Sequence, residues 1–101
     1  MSGNGKSGII KIGSKDYEII YKERVEDWEG NQTWGLVDYE KCEISIDNSI
    51  CEQLQFTILI HEITHAVLDE MGSLLSEDDQ FVSALSNMLS QIIIDNKGLY
   101  E

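Results

Sequence analysis

The chain has no proline, only two cysteines, only two histidines, and seven basic side chains against 19 acidic ones among its 101 residues. Each shortage excludes something. A net charge of -12 repels phosphate groups, and no basic patch reverses it. Nucleic acid and anionic membrane surfaces are therefore not expected partners. No run approaches the roughly 18 apolar residues that a membrane span requires. Cys42 and Cys51 read as free thiols, which fits a cytoplasmic protein. Cys51 has no histidine near it outside the motif described below, so a thiol nucleophile is not expected either.

The remaining composition is ordinary, with 42% hydrophobic residues, enough for the chain to fold. The N-terminal MSGNGKSG carries one lysine and no apolar stretch. It reads as a flexible leader over 1–8 rather than a secretory signal. Residues 9–101 form a single domain that can bury roughly two-thirds of its unfolded surface.

Along that domain the hydrophobic period changes once. IIKI (9–12) and DYEIIYKE (16–23) alternate like strands and flank Gly13 as a hairpin. Tyr17, Ile19 and Tyr21 share one face. VEDWEGNQT (25–33) is a polar connection with a turn at Gly30-Asn31. WGLVDY (34–39) and CEISID (42–47) make a second hairpin around Glu40-Lys41. At Ser49 the pattern turns helical. Ser49 and Glu52 have capping-box spacing, and Leu54, Ile58, Leu59, Ile63, Ala66 and Val67 recur at helical intervals up to Gly72. A second box, Ser76 to Asp79, opens a further helix. Its apolar stripe is Phe81, Val82, Leu85, Leu89, Ile92 and Ile93, and it ends near Asn96-Lys97-Gly98. The expectation is a small α+β domain, with N-terminal antiparallel strands followed by two long helices.

Both histidines lie in HEITH, residues 61–65. Residues four apart on a helix stand one turn above each other, so His61 and His65 can aim ring nitrogens at one point. Zinc accepts such nitrogens at about 2.0–2.1 Å. Glu62 is rotated by about 100°, which suits it to handling the proton of a water activated by the ion. H-E-x-x-H of this kind is the signature of zinc peptidases. It is expected by chance in well under about one in a hundred chains of this length. The competing readings are two ordinary helical histidines beside a solvated Glu62, and a structural zinc site. The latter needs four protein ligands, and the spacing of Cys42 and Cys51 to His61 matches no finger pattern.

A catalytic ion needs a third protein ligand, and no histidine is left to supply it. That excludes the metzincin pattern. Asp69 and Glu70 lie towards the end of the first helix and read as decorating it. The acids that open the second helix, Glu77, Asp78 and Asp79, are the candidate set. Periodicity puts Asp78 nearest the middle of the apolar stripe, and Asp79 doubles as a capping-box acid. The residues alone leave the choice open.

The run QFTILIHEITHAVLDEMG…DDQFVSALSNMLSQIIIDN, preceded by GLVDYEKCEISID, resembles small phage-type zincin metallopeptidases related to the ImmA/IrrE-like group. The likeness runs from about Ile9 to Asn96. It implies a zincin-like fold, zinc as cofactor and hydrolysis of peptide bonds, with Glu62 as general base and a protein or peptide as substrate. In that group the third ligand is an acid three residues before a small or branched apolar residue. DQFV matches, which makes Asp79 the ligand, although aspartate stands where glutamate is usual. A second implication is a non-catalytic zinc-binding or protein-interaction module on the same scaffold. Trp28 and Trp34 flank the polar turn at 30–33; packing in the core or along an edge is the expectation, with lining of a substrate cleft as the other reading. Gly35 and the strand after it offer an edge to an extended peptide, and Tyr39 is a candidate donor to an oxyanion.

Overall fold

The computed structural model describes residues 7–100. The leader expected over 1–8 falls mostly outside them, and its last two residues already belong to a strand. Strand β1 (Ser7–Ile12) pairs antiparallel with β2 (Lys15–Lys22). Gly13, between them, has a φ of 62°, a left-handed conformation that glycine adopts without steric cost.

Residues 25–33 do more than connect. Val25–Glu26 (β3) and Gln32–Thr33 (β4) form a short antiparallel ribbon with Gly30 at a φ of 85° in its turn. Val25 is buried in the body of the protein, which explains why this polar stretch holds a fixed shape. Strands β5 (Gly35–Asp38) and β6 (Glu43–Asp47) form the second expected hairpin. The carboxylate of Asp38 accepts from the backbone N–H groups of Glu40 and Lys41 and fixes its turn.

One feature departs from the expected antiparallel arrangement. The two hairpins join through a parallel pairing of β2 with β6, so the four-stranded sheet is mixed and ordered β1-β2-β6-β5. The reason is geometric. The 25–33 ribbon crosses over before β5 begins, so β6 returns alongside β2 in the same direction. Strand β5 is left at an edge.

One face of the sheet carries Ile12, Tyr17, Val37, Ile44 and Ile46, which pack against Ala66 of helix α1 (Glu52–Glu70). Ile58, Leu59 and Ile63 complete the contact. The face expected from strand alternation in β2 is thus the buried one. Helix α2 (Asp79–Asp95) lies against α1. No described helix is long and apolar enough to cross a membrane.

Both expected capping boxes give way to other bonds. The N-cap of α1 is Cys51, not Ser49. The Ser49 hydroxyl and N–H instead donate to Asp47 Oδ1 at 2.6 and 2.8 Å, and the Gln55 amide donates to the Ile50 carbonyl at 2.7 Å. At α2 the cap is Asp78, whose carboxylate accepts from the Phe81 N–H at 3.1 Å. Ser76 sits in a preceding 3-10 turn, Leu74–Glu77. At α2 the aspartate is the better acceptor, because its charge strengthens the hydrogen bond; α1 has no side-chain cap bond.

The expected apolar stripe of α2 is only partly the buried one. Val82, Ser86 and Ser90 face inward and are buried, whereas Phe81, Leu89 and Ile92 are exposed. Small side chains on this face let α2 approach the histidines of α1.

Asp47 ties the end of β6 to the start of α1 and is fully buried. The Ser49 hydroxyl bond, chiefly, holds its carboxyl below the ordinary value of 3.8. A folded-state pKa below the unfolded one means that this stabilisation is present above about 3.8 and is lost as pH falls through the folded value. Asp47→Ala is expected to cost about 2–3 kcal/mol of unfolding free energy at neutral pH, in the range for hydrogen bonds to a buried charged group. Urea denaturation checks it; an unchanged midpoint would contradict this role for Asp47.

Candidate metal centre

HEITH lies in the middle of α1, where the helix passes β5 on one side and α2 on the other. The Nε2 atoms of His61 and His65 are 3.2 Å apart, with ring centroids at 4.8 Å and planes at 70°. Asp79 Oδ1 is 3.5 Å from His65 Nε2. Ligand atoms of all three residues lie within 4.8 Å of one another.

The far side of each ring is tethered. His65 Nδ1 is 2.6 Å from the Ser76 carbonyl oxygen. A carbonyl only accepts, so Nδ1 carries the proton and Nε2 presents its lone pair. His61 Nδ1 is 3.4 Å from Ser86 Oγ, and that hydroxyl donates onward to the Ser83 carbonyl at 3.3 Å. The Ser86 oxygen can then accept from His61 Nδ1–H, the tautomer that leaves Nε2 free to bind a metal. Burial, and next the proximity of His65, lower the pKa of His61 in the same sense.

The 3.2 Å contact is either an N–H···N hydrogen bond, with one Nε2 protonated, or, with both unprotonated, a pair of lone pairs that a cation would bridge. Two donors each about 2.05 Å from a tetrahedral ion stand about 3.3 Å apart, close to the separation here. Two imidazole nitrogens and one carboxylate oxygen are a donor set that suits a divalent transition ion.

The acids that the residues alone left open separate cleanly. Asp78 is engaged in capping α2. Glu77 lies in the 3-10 turn and is exposed. Asp79, the first residue of α2, is relieved of capping by its neighbour. Its side chain, 87% solvent-exposed, reaches the histidine pair.

Glu62 is buried against β5. A Cβ at Gly35 would stand 2.6 Å from Ile58 Cγ2 and 2.8 Å from Glu62 Oε2. Glycine at this point therefore lets the strand approach the helix closely enough to hold the glutamate. Burial first, and the Asp79 charge second, push the Glu62 carboxyl up to about 7.

Two adjoining depressions open onto this cluster. One, of about 710 Å³, runs past Trp34, Gly35, Thr57, His61, Glu62 and Asn87. The other, of about 450 Å³, runs past Val37, Tyr39, Glu62, His65 and Asp79. Together they form a groove along β5 with His61 and Glu62 in its floor. Trp34 is 47% and Trp28 72% exposed, so neither packs in the core; Trp34 lines the groove, which agrees with the other reading.

Ser86, the Ser76 carbonyl and the contact role of Gly35 are missed by sequence reasoning. Ser86 had a signal. Asp79, Ser83, Ser86 and Ser90 recur at helical spacing and form one polar strip along the helix. The Ser76 carbonyl had none, since any residue supplies one.

No protein-family model, curated protein or solved structure matches this chain.

Gly35→Ala is expected to cost about 1–3 kcal/mol of stability, because the added methyl must displace Glu62 or Ile58. Gly8→Ala, where nothing lies within 4 Å, is the control in thermal denaturation. Equal midpoints for the two variants would overturn the close-approach account.

Proposed function

We propose that the protein is a zinc-dependent metallopeptidase of the zincin type, with His61, His65 and Asp79 as ligands and Glu62 as general base. One observation carries the reading. The two Nε2 atoms stand at ligand-ligand separation while their opposite ring nitrogens are held by Ser76 and Ser86. Ordinary surface histidines have no reason to be fixed from behind in this way; metal-binding histidines do.

A zinc ion held there would polarise the carbonyl of a peptide bond and acidify water. Glu62, in the floor of the groove, takes the proton of the attacking water and returns it to the departing amine nitrogen. Its burial against β5 holds the carboxyl in place beside the water that the ion would carry. Tyr39 lines the same groove. Burial above all, and next the Asp69 charge, raise its phenol to about 12, so it stays a neutral donor for the oxygen on which negative charge develops. The open edge of β5 supplies backbone groups to an extended peptide, which aligns the scissile bond over Glu62.

The alternative is a zinc-binding interaction module that uses the same ligands without hydrolysis. The exposure of the Asp79 side chain favours it, since a loosely held ligand serves binding as well as catalysis.

Elemental analysis of the purified chain is expected to find about one zinc per molecule. Glu62→Gln should retain that ion and lose peptide cleavage, by at least about 100-fold, against a fluorogenic peptide library. Tyr39→Phe should lower kcat by about 10- to 100-fold with little change in KM. Zinc without cleavage in the unaltered chain selects the binding module. Absence of zinc, together with a melting temperature indifferent to chelator, removes both readings.

A further inference from the structure

The chain has two tryptophans, and they stand in different surroundings. Trp28 occupies the turn of the β3–β4 ribbon and lines neither depression beside the metal centre. Trp34 sits where the chain bends between β4 and β5, and it forms one wall of the depression of about 710 Å³.

The backbone on both sides of Trp34 is fixed. Its carbonyl accepts from the Asp47 N–H at 2.9 Å. The Thr33 hydroxyl donates to the Gly35 carbonyl at 3.2 Å, and Gly35 itself is pressed against Ile58 and Glu62. The indole is therefore carried on main chain that is already ordered, which lowers the entropic cost of binding against it.

The other walls are neutral. Thr57 and Ile58 come from α1, Asn87 and Ser83 from α2, and Gln32 from β4. Arg24 Nη1 donates to Gln32 Oε1 at 3.1 Å and holds that wall in place. Only His61 and Glu62, in the floor, are ionisable. The second depression carries Asp79, and the neighbouring Glu77 and Asp78 are exposed. On a chain with a net charge of -12, the groove is thus neutral on the Trp34 side and acidic on the Asp79 side.

These walls discriminate among side chains. A carboxylate meets no cation on the Trp34 side, and a lysine or arginine finds its partner on the Asp79 side. An aliphatic side chain gains buried area alone. An aromatic ring gains that area and an offset or edge-to-face contact with the indole.

We propose that the Trp34 depression is the specificity pocket of the groove and takes a phenylalanine or tyrosine side chain of the bound peptide, next to the bond that lies over Glu62. The inference rests on the peptidase reading for the peptide nature of the ligand, but the pocket binds its side chain whether or not the bond is cut.

Titration of the 15N-labelled full chain with N-acetyl-phenylalanine amide tests it. The expected result is a shift of the Trp34 indole N–H resonance while that of Trp28 stays in place. The corresponding alanine and lysine amides should bind about tenfold more weakly. Trp34→Ala should weaken the phenylalanine amide by a similar factor, and Trp34→Phe should retain it. Asn87→Glu, at an exposed position, should reverse the order in favour of the lysine amide. No shift with any amide, a shift of both indoles, equal affinity for the three amides, binding indifferent to Trp34→Ala, or an unchanged order in Asn87→Glu would each overturn the proposal. The fluorogenic library separates it from the peptidase reading. Cleavage with no aromatic residue beside the broken bond removes the pocket and leaves the peptidase. A selective Trp34 shift without any cleavage supports the pocket and removes the peptidase.

Discussion

His61 and His65 present their inner nitrogens to a common point only because each ring is gripped at its outer nitrogen by a group from another element. Helical pitch brings the rings one above the other, but a helix alone leaves both free to rotate. The Ser76 carbonyl, in the turn after α1, and Ser86, on α2, remove that freedom. Both depend on α2 folding back closely over α1. The small buried face of Val82, Ser86 and Ser90 makes this approach possible. Core packing and site geometry are therefore the same constraint viewed from two directions.

Glu62 obeys a parallel logic on the opposite side of α1. It is fixed by the absence of a side chain at Gly35. Helix α1 is thus clamped between a strand that yields space and a helix that yields bulk, and the chemistry-bearing side chains occupy what is left. Burial that raises the Glu62 carboxyl and lowers the basicity of His61 comes from this same close fit.

Much of this was legible in the residues. Gly13, the Asp38 turn and Gly72 mark element ends by local chemistry, and HEITH announces its own geometry through helical spacing. What was not legible depends on partners distant in sequence. Nothing local in β2 or β6 states that they run parallel. Ser49 and Ser76 satisfy a capping pattern, yet Asp47 draws the Ser49 donors to itself and the charged Asp78 takes over the cap of α2. Which of Glu77, Asp78 and Asp79 stands beside the histidines needed the knowledge that Asp78 caps α2. The stripe on α2 showed which residues are apolar, but not that its serines would be the ones covered.

The parallel seam between β2 and β6 has a kinetic consequence. Each hairpin closes over a few residues, whereas Glu18 meets Glu43 only after the intervening chain has been drawn into a loop, at an entropic cost that rises with its length. Helix α1 packs chiefly on β5 and β6 and only slightly on β1, so its seat is built from chain neighbours and the β2–β6 seam can close afterwards. The histidine cluster, whose partners lie on α1, α2 and the turn between them, is in this way decoupled from the slowest type of contact the topology contains.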